Sequence, residues 1–193
     1  MNNRSTNITI AGSGGQGIVV VGNLIARACV IEGKNVSGWV AYGAEMRGGT
    51  ANATVVVSEE EIACPFVETP DMAIMLNQPS LERFESTIAA GGTVLLNTST
   101  IQRPVQRDDL VQVHQPATEL AHELGNLKVA NIVALGAFID HTQVVKADSI
   151  RQAIGDLFVA KNPKMIELNL KALDVGAANY RCQTVVKGQR PSR

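Results

Sequence analysis

The chain has 193 residues, of which 45% are hydrophobic, 18% charged and 4% aromatic, and its formal net charge is -1. This length suits one domain with a large core, and the near-zero charge excludes a general attraction to nucleic acid or to a membrane surface. The wide separation of Cys29, Cys64 and Cys182 excludes a zinc motif or an iron–sulfur ligand run. Because three cysteines fit a reducing compartment and the first residues lack a signal-peptide pattern, we expect a cytoplasmic protein.

The charged fraction lies below the roughly 25% that is usual for soluble domains. Helices rich in Ala, Val and Ile around a buried sheet explain this deficit. A subunit that covers part of its surface with partner chains is the alternative explanation; composition favours the first and leaves the second open.

The first forty residues predict a strand, a glycine-rich turn, a helix and a second strand. Ile8–Ala11 is the first strand, Ile18–Glu32 has apolar residues at helical spacing, and Val36–Val40 is the second strand. Gly33 is a natural helix terminator. This order favours a parallel pair of strands joined by a right-handed crossover.

The rest of the chain alternates apolar runs with helical segments before it becomes helical throughout. Further strands are predicted at Ala51–Val57, Met72–Leu76, Thr93–Leu96 and Leu110–Val113, and helices at Pro79–Ala90 and Pro116–Leu124. Beyond Gly125 we predict helices only, at Val129–Ile139 (apolar apart from Asn131), Ser149–Ala160 and Pro163–Ala178.

These elements predict an α/β fold with a Rossmann-like, mostly parallel sheet flanked by helices and a helical C-terminal third. Residues 1–186 form one domain in this interpretation. The basic segment 187–193 has no apolar period and is predicted to be a flexible tail.

The glycine-rich turn matches the G-x-G-x-x-G pattern at Gly12, Gly14 and Gly17, between a strand and a helix. Glycines let a ligand approach the backbone, and a helix amino end offers N–H groups and partial positive charge to a phosphate. Gly15 and Gln16 further shape the turn, and the Gln16 amide is expected to donate to a phosphate or to adjoining backbone. Close strand–helix packing with no ligand is the alternative explanation.

A conventional NAD site also needs an acidic residue at the end of the second strand, to hold a ribose hydroxyl. Residues 39–44 contain none: Glu45 comes too late and Glu32 lies within the predicted helix. Asn77, at the end of a later strand on the same edge, is expected either to bond a ligand or to cap the helix opened by Pro79.

A second glycine-rich cluster follows the second strand, at the sheet edge where ligands of open α/β folds bind. Arg47 in this cluster is suited to grip a carboxylate or phosphate with both guanidinium arms, or else ties down its own loop. The candidate binding residues of the cluster are Tyr42, Glu45, Arg47, Gly48 and Gly49.

The two glycine clusters together, with Pro70 and Asp71 before an apolar strand, resemble the gamma subunit of 2-oxoacid:ferredoxin oxidoreductases. The resemblance covers nearly the whole chain. It implies a complex that oxidatively decarboxylates pyruvate, 2-oxoglutarate or a branched-chain 2-oxoacid to an acyl-CoA and passes electrons to ferredoxin. Indolepyruvate oxidoreductases use a similar subunit.

The resemblance also implies that the redox centres lie in other chains. Thiamine diphosphate and magnesium would lie between alpha and beta subunits, and iron–sulfur clusters in the beta and ferredoxin-like subunits. This chain would bind no cofactor alone and carry no catalytic residue; it would help to hold coenzyme A and to close the active site. The alternatives are a stand-alone, dinucleotide-dependent Rossmann-type oxidoreductase and a purely structural subunit with an empty glycine loop.

Overall fold

The computed structural model describes residues 5–41, 50–62, 64, 66–159 and 163–184. Within these residues the chain forms one seven-stranded sheet in the order β2-β3-β1-β4-β5-β6-β7. The strands are β1 (Thr6–Ser13), β2 (Asn35–Ala41), β3 (Thr50–Ser58), β4 (Met72–Met75), β5 (Thr93–Asn97), β6 (Val111–Gln115) and β7 (Arg181–Thr184).

Six α-helices in the described residues cover the two faces of this sheet. They are α1 (Ile18–Ile31), α2 (Gln78–Phe84), α3 (Ala117–Glu123), α4 (Ala130–Thr142), α5 (Ala147–Phe158) and α6 (Pro163–Ala178). Short 3-10 turns follow α2 at Glu85–Thr87 and precede α4 at Leu127–Val129.

The strand directions confirm a mostly parallel α/β sheet. β1, β4, β5 and β6 pair in parallel, β3 is antiparallel to both β1 and β2, and β7 is antiparallel to β6. In the described part of the chain, five of the seven strands therefore run in one direction. The predicted direct pairing of β1 with β2 is wrong, because β3 turns back between them and Val55 is opposite both Ile8 and Gly38.

Two further expectations need correction. The helix predicted over Pro79–Ala90 ends its α-helical part at Phe84, because the chain tightens into a 3-10 turn and then extends so that Ile88 enters the core. β7 was not predicted, since its sequence is polar and its backbone simply adds to the edge of β6. The tail predicted over residues 187–193 lies outside the described residues.

The helices divide between the two faces of the sheet. Residues of α1, α3, α4, α5 and α6 form one apolar cluster, whereas α2 packs through Leu81 into a separate cluster on the other face. The chain leaves β1 toward the first face and β4 toward the second, although the two strands are parallel neighbours. Such a switch point opens a crevice at the carboxyl ends of the strands, where ligands of α/β sheets bind.

Helices α4 and α6 approach each other through paired glycines. A Cβ atom on Gly136 of α4 would overlap the carbonyl of Leu173, and one on Gly176 of α6 would overlap the carbonyl of Val133. At these two positions the contact has no room for a side chain. The two backbones are therefore held together over one of the most buried parts of the molecule.

This contact predicts that Gly136→Ala lowers the free energy of unfolding by about 1–3 kcal/mol, the usual cost of extra atoms in a packed core. The matched control is Gly155→Ala in α5, where a Cβ meets nothing within 4 Å. Alanine is favoured over glycine inside a helix by about 0.5–1 kcal/mol, so the control is expected to stabilise. Denaturant unfolding measures both changes, and an unaffected Gly136 variant would contradict the close contact.

The cysteines predict a second measurable difference. Burial raises the pKa of the Cys29 thiol to about 11, whereas Cys64 and Cys182 are exposed. Since the thiolate is the reactive form, Cys64 and Cys182 are expected to react with a thiol reagent at neutral pH, and Cys29 only after unfolding. Cys182→Ser is the control and should remove one rapidly reacting thiol. Rapid labelling of Cys29 in the folded chain would show that the α1 packing is wrong.

Candidate functional site

The candidate site lies at the switch point, where the loops that follow β1, β4, β5 and β6 converge with the start of α4. A cavity of about 300 Å³ occupies this position. It is lined by residues of the glycine loop, of the three strand ends and of the α4 amino end: Gly15, Gln16, Leu76, Asn97, Thr100, Thr118, Leu127, Lys128, Ala130 and Asn131.

The glycine loop contains two residues with left-handed backbone conformation. Gly15 has φ 90° and Gly17 has φ 73°, values that side-chain-bearing residues rarely adopt. The Gln16 N–H donates to the Ser13 carbonyl (3.1 Å) and closes the turn that includes the exposed Gly14. Gly17 is then the N-cap of α1, so the loop runs directly into the amino end of a helix.

The Gln16 side chain is held by backbone on both of its polar atoms. Its Oε1 accepts from the Ser13 N–H (2.6 Å), and its Nε2 donates to the Leu76 carbonyl (3.2 Å). A Cβ on the buried Gly12 would lie 2.6 Å from this Oε1. Of the two partners expected for Gln16, the structure therefore has the backbone, and the missing side chain of Gly12 makes room for the Gln16 carboxamide.

The carbonyl of Leu76 connects three loops. Besides Gln16, it accepts from the Thr100 hydroxyl (2.8 Å) and, at the long limit of 3.5 Å, from Nδ2 of Asn97. Asn97 also donates to the hydroxyl oxygen of Thr118 (2.9 Å). These bonds fix one wall of the cavity and leave the Thr118 hydroxyl hydrogen able to turn toward a ligand.

Asn77 takes the capping role that was one of its two predicted alternatives. Its Oδ1 accepts from the Ser80 N–H (2.9 Å), and its Nδ2 donates to the Ser13 hydroxyl (2.6 Å). The amide thus begins α2 and also braces the end of β1. Its polar atoms are occupied within the protein.

Two further lining residues were not predicted as site residues: Asn131 at the start of α4, and Lys128 in the 3-10 turn that precedes it. Asn131 is buried, and its Nδ2 donates to the Gly17 carbonyl (3.1 Å). Lys128 is exposed and forms no ion pair within the described residues. The sequence did carry a signal for Lys128. Asn126 caps the segment that begins here, and a lysine at a helix amino end is electrostatically unfavourable. Its presence there indicates a role other than helix stability.

The electrostatics of the cavity favour an anion. The first turn of α1 has no acidic residue, and no described side chain caps it. Its unpaired N–H groups and partial positive charge therefore point into the loop region. The Lys128 ammonium adds a full positive charge at the same cavity. Backbone donors and one cation together suit a phosphate.

The second predicted cluster, Tyr42, Glu45, Arg47, Gly48 and Gly49, lies outside the described residues. β2, which precedes this cluster, ends at Ala41, and β3, which follows it, begins at Thr50 opposite Ser13, the last residue of β1. Both ends of this segment therefore lie at the same sheet edge as the glycine loop.

Metal and membrane features are absent from the part of the chain that the structure describes. Those residues include no group of three or more His, Cys, Asp or Glu side chains placed to hold a metal ion. None of their helices combines the length and apolar character that a membrane crossing requires.

Comparison with known proteins identifies the family of this fold. The sequence model described as pyruvate ferredoxin/flavodoxin oxidoreductase matches residues 7–179. The ketoisovalerate oxidoreductase subunit VorA of Methanothermobacter marburgensis is 39% identical over 90% of this chain, which spans only 36% of that relative.

Two solved structures share the fold over most of the chain. The 2-oxoglutarate:ferredoxin oxidoreductase from Magnetococcus marinus, solved with 2-oxoglutarate, coenzyme A and succinyl-CoA bound, has a TM-score of 0.83 at 27% identity, covering 91% of this chain and 31% of that one. The gamma subunit of the keto/oxoacid ferredoxin oxidoreductase from Geobacter sulfurreducens has a TM-score of 0.74 at 27% identity, covering 89% and 95%. These matches confirm the resemblance drawn from the two glycine clusters.

Proposed function

Since the chain belongs to the pyruvate ferredoxin/flavodoxin oxidoreductase family, we propose that it is the gamma-type subunit of a 2-oxoacid:ferredoxin oxidoreductase complex. The complex would oxidatively decarboxylate a 2-oxoacid to an acyl-CoA and reduce ferredoxin. Within it, this chain would bind part of coenzyme A and help to close the active site. The observation that carries this role is the anion-favouring cavity between the glycine loop and Lys128.

Coenzyme A suits this cavity because its phosphates carry the negative charge that the cavity lacks. The amino end of α1 offers backbone N–H donors, and Lys128 supplies the cation. At 300 Å³ the cavity has room for a phosphate group and its immediate surroundings rather than for the whole molecule. Leu127, which is 57% exposed at the rim, offers apolar surface to the remainder of the ligand.

The glycine loop would contribute backbone rather than side chains. Gly14 and Gly15 leave the loop open to a phosphate, while the Gln16 carboxamide keeps the loop attached to the end of β4. Because these bonds hold the loop in place, binding would need less ordering of the chain, which favours affinity. Tyr42, Glu45, Arg47, Gly48 and Gly49 would add contacts from the neighbouring segment.

The remaining chemistry would belong to partner subunits. Thiamine diphosphate, magnesium and the iron–sulfur clusters would reside in alpha, beta and ferredoxin-like chains, so this chain alone would not oxidise a 2-oxoacid. The relatives support such an arrangement, because the matched region corresponds to 36% of the VorA relative but to 95% of the Geobacter gamma subunit. The same domain thus occurs both as a separate subunit and as part of a longer chain.

The edge strand β2 supports assembly with partners. It has no charged residue and no proline, the usual means by which an exposed edge avoids pairing with other chains. On this strand Trp39 is 55% exposed and packs against the 67% exposed Phe66, with ring centroids 5.7 Å apart. Exposed aromatic residues of this kind are typical of the centres of protein interfaces.

The Lys128 ammonium provides a direct test of the coenzyme A role. In the assembled complex, Lys128→Ala is expected to raise the KM for coenzyme A about tenfold, equivalent to about 1.4 kcal/mol, with little change in the KM for the 2-oxoacid. The effect should shrink as ionic strength rises, because the charge is exposed. Lys171→Ala, an exposed lysine of α6, is the control. Equal KM values for both variants would remove Lys128 from the site.

Assembly is tested separately by reconstitution from purified subunits. We expect oxidation of a 2-oxoacid only in the complex, and we expect Trp39→Ser to weaken association at least about tenfold because it removes an aromatic anchor. Val159→Ser, at an apolar site that is 66% exposed beside the end of α5, is the control. Activity of the isolated chain, or tight binding of NAD(P) by it, would favour the stand-alone enzyme instead.

A further inference from the structure

Asn131 is a polar residue in an otherwise apolar buried helix segment. Residues 131–139 of α4 are all buried, and eight of these nine side chains offer no hydrogen-bonding group. A buried amide destabilises a protein unless its polar atoms are bonded. Asn131 meets this condition with two bonds: Nδ2 donates to the Gly17 carbonyl (3.1 Å), and Oδ1 accepts from the Ile132 N–H (3.0 Å).

The first of these bonds acts on the peptide group that begins α1. The Gly17 carbonyl also accepts the first helical hydrogen bond, from the Val21 N–H (3.2 Å). Because a trans peptide is planar, a carbonyl held in one direction holds the following N–H in the opposite direction. Asn131 therefore fixes the orientation of the Ile18 N–H at the amino end of the helix.

Gly17 and Asn131 are also matched in space. Gly17 has left-handed backbone, and a Cβ at this position would overlap the Asn131 amide. The two residues are separated by 114 positions; Asn131 is part of the cavity lining, and Gly17 directly follows Gly15 and Gln16, which also line it. The Asn131 amide thus occupies the space that a side chain at Gly17 would need, and it donates a hydrogen bond to the Gly17 carbonyl.

We propose that Asn131 is a positioning residue for coenzyme A binding, acting through the Gly17 carbonyl to aim the amino end of α1 at the ligand. This inference rests on the proposed function of the cavity. It assigns to α4 a part in the binding of the substrate that is separate from the charge of Lys128. The role requires the Nδ2 donor, so a carboxylate of the same shape does not replace it.

The test uses the assembled complex with three variants. Asn131→Ala removes the amide, and Asn131→Asp keeps its shape but loses the donor. Asn169→Ala is the matched control, because Asn169 is equally buried and its Nδ2 donates to the Met165 carbonyl (2.6 Å) within α6. The measurements are kcat, the KM for each substrate, and hydrogen exchange at the Val21 amide.

Both Asn131 variants are expected to raise the KM for coenzyme A about five- to tenfold. We expect kcat at saturating coenzyme A and the KM for the 2-oxoacid to stay within about twofold of the parent values. Exchange at Val21 should accelerate, because its acceptor carbonyl loses a second bond. The Asn169 variant should lower stability without changing either the KM for coenzyme A or the exchange at Val21.

Three outcomes overturn the proposal. An unchanged KM in both Asn131 variants does so, as does an equal rise in the Asn169 variant, and so does unchanged exchange at Val21. Failure of the underlying function looks different: Lys128→Ala then leaves the KM unchanged as well, while exchange at Val21 still accelerates in the Asn131 variants. If Asn131→Ala does not fold, the shape-preserving Asn131→Asp variant alone decides the question.

Discussion

The backbone carbonyl of Leu76, just beyond the end of β4, accepts hydrogen bonds from three side chains: Gln16 in the glycine loop, and Asn97 and Thr100 at the end of β5. One of these, from Gln16, connects the glycine loop to the neighbouring parallel strand across the switch point of the sheet. This attachment sets the position of the glycine loop relative to the other lining residues of the cavity. The bond from Gln16 to Leu76 holds the left-handed turn, and the separate bond from Asn131 to the Gly17 carbonyl holds the amino end of α1 that follows it.

Much of the fold was predictable because elements that are buried have continuous runs of apolar residues. β4, β5 and α4 are buried on every side and were predicted from such runs, whereas β7 is a polar edge strand held mainly by backbone bonds and left no pattern. The insertion of β3 between β1 and β2 was also hidden. Strand order depends on pairing between segments that are far apart in the chain. The residue pattern within one strand does not specify which other strand lies beside it.

The candidate site was predictable to a lesser extent, for a related reason. Glycine spacing identifies the loop because left-handed backbone and close packing require glycine at set positions, as at Gly17. The partners of that loop are not local: Leu76 lies 60 residues from Gln16, and Asn131 lies 114 residues from Gly17. The sequence shows only a single amide, Asn131, in an apolar helix. Its partner, the Gly17 carbonyl, can be identified only from the folded structure.

The mutual fit of Gly12 and Gln16 has a consequence for how this loop can change over generations. Any side chain at position 12 meets the Gln16 carboxamide, so a replacement there is costly while glutamine remains. A shorter residue at position 16 removes the closest contact, leaving the Leu76 Cβ at 3.1 Å, but it also detaches the loop from the Leu76 carbonyl. Positions 12 and 16 are therefore coupled, so a substitution at either one is expected to be tolerated best together with a compensating change at the other.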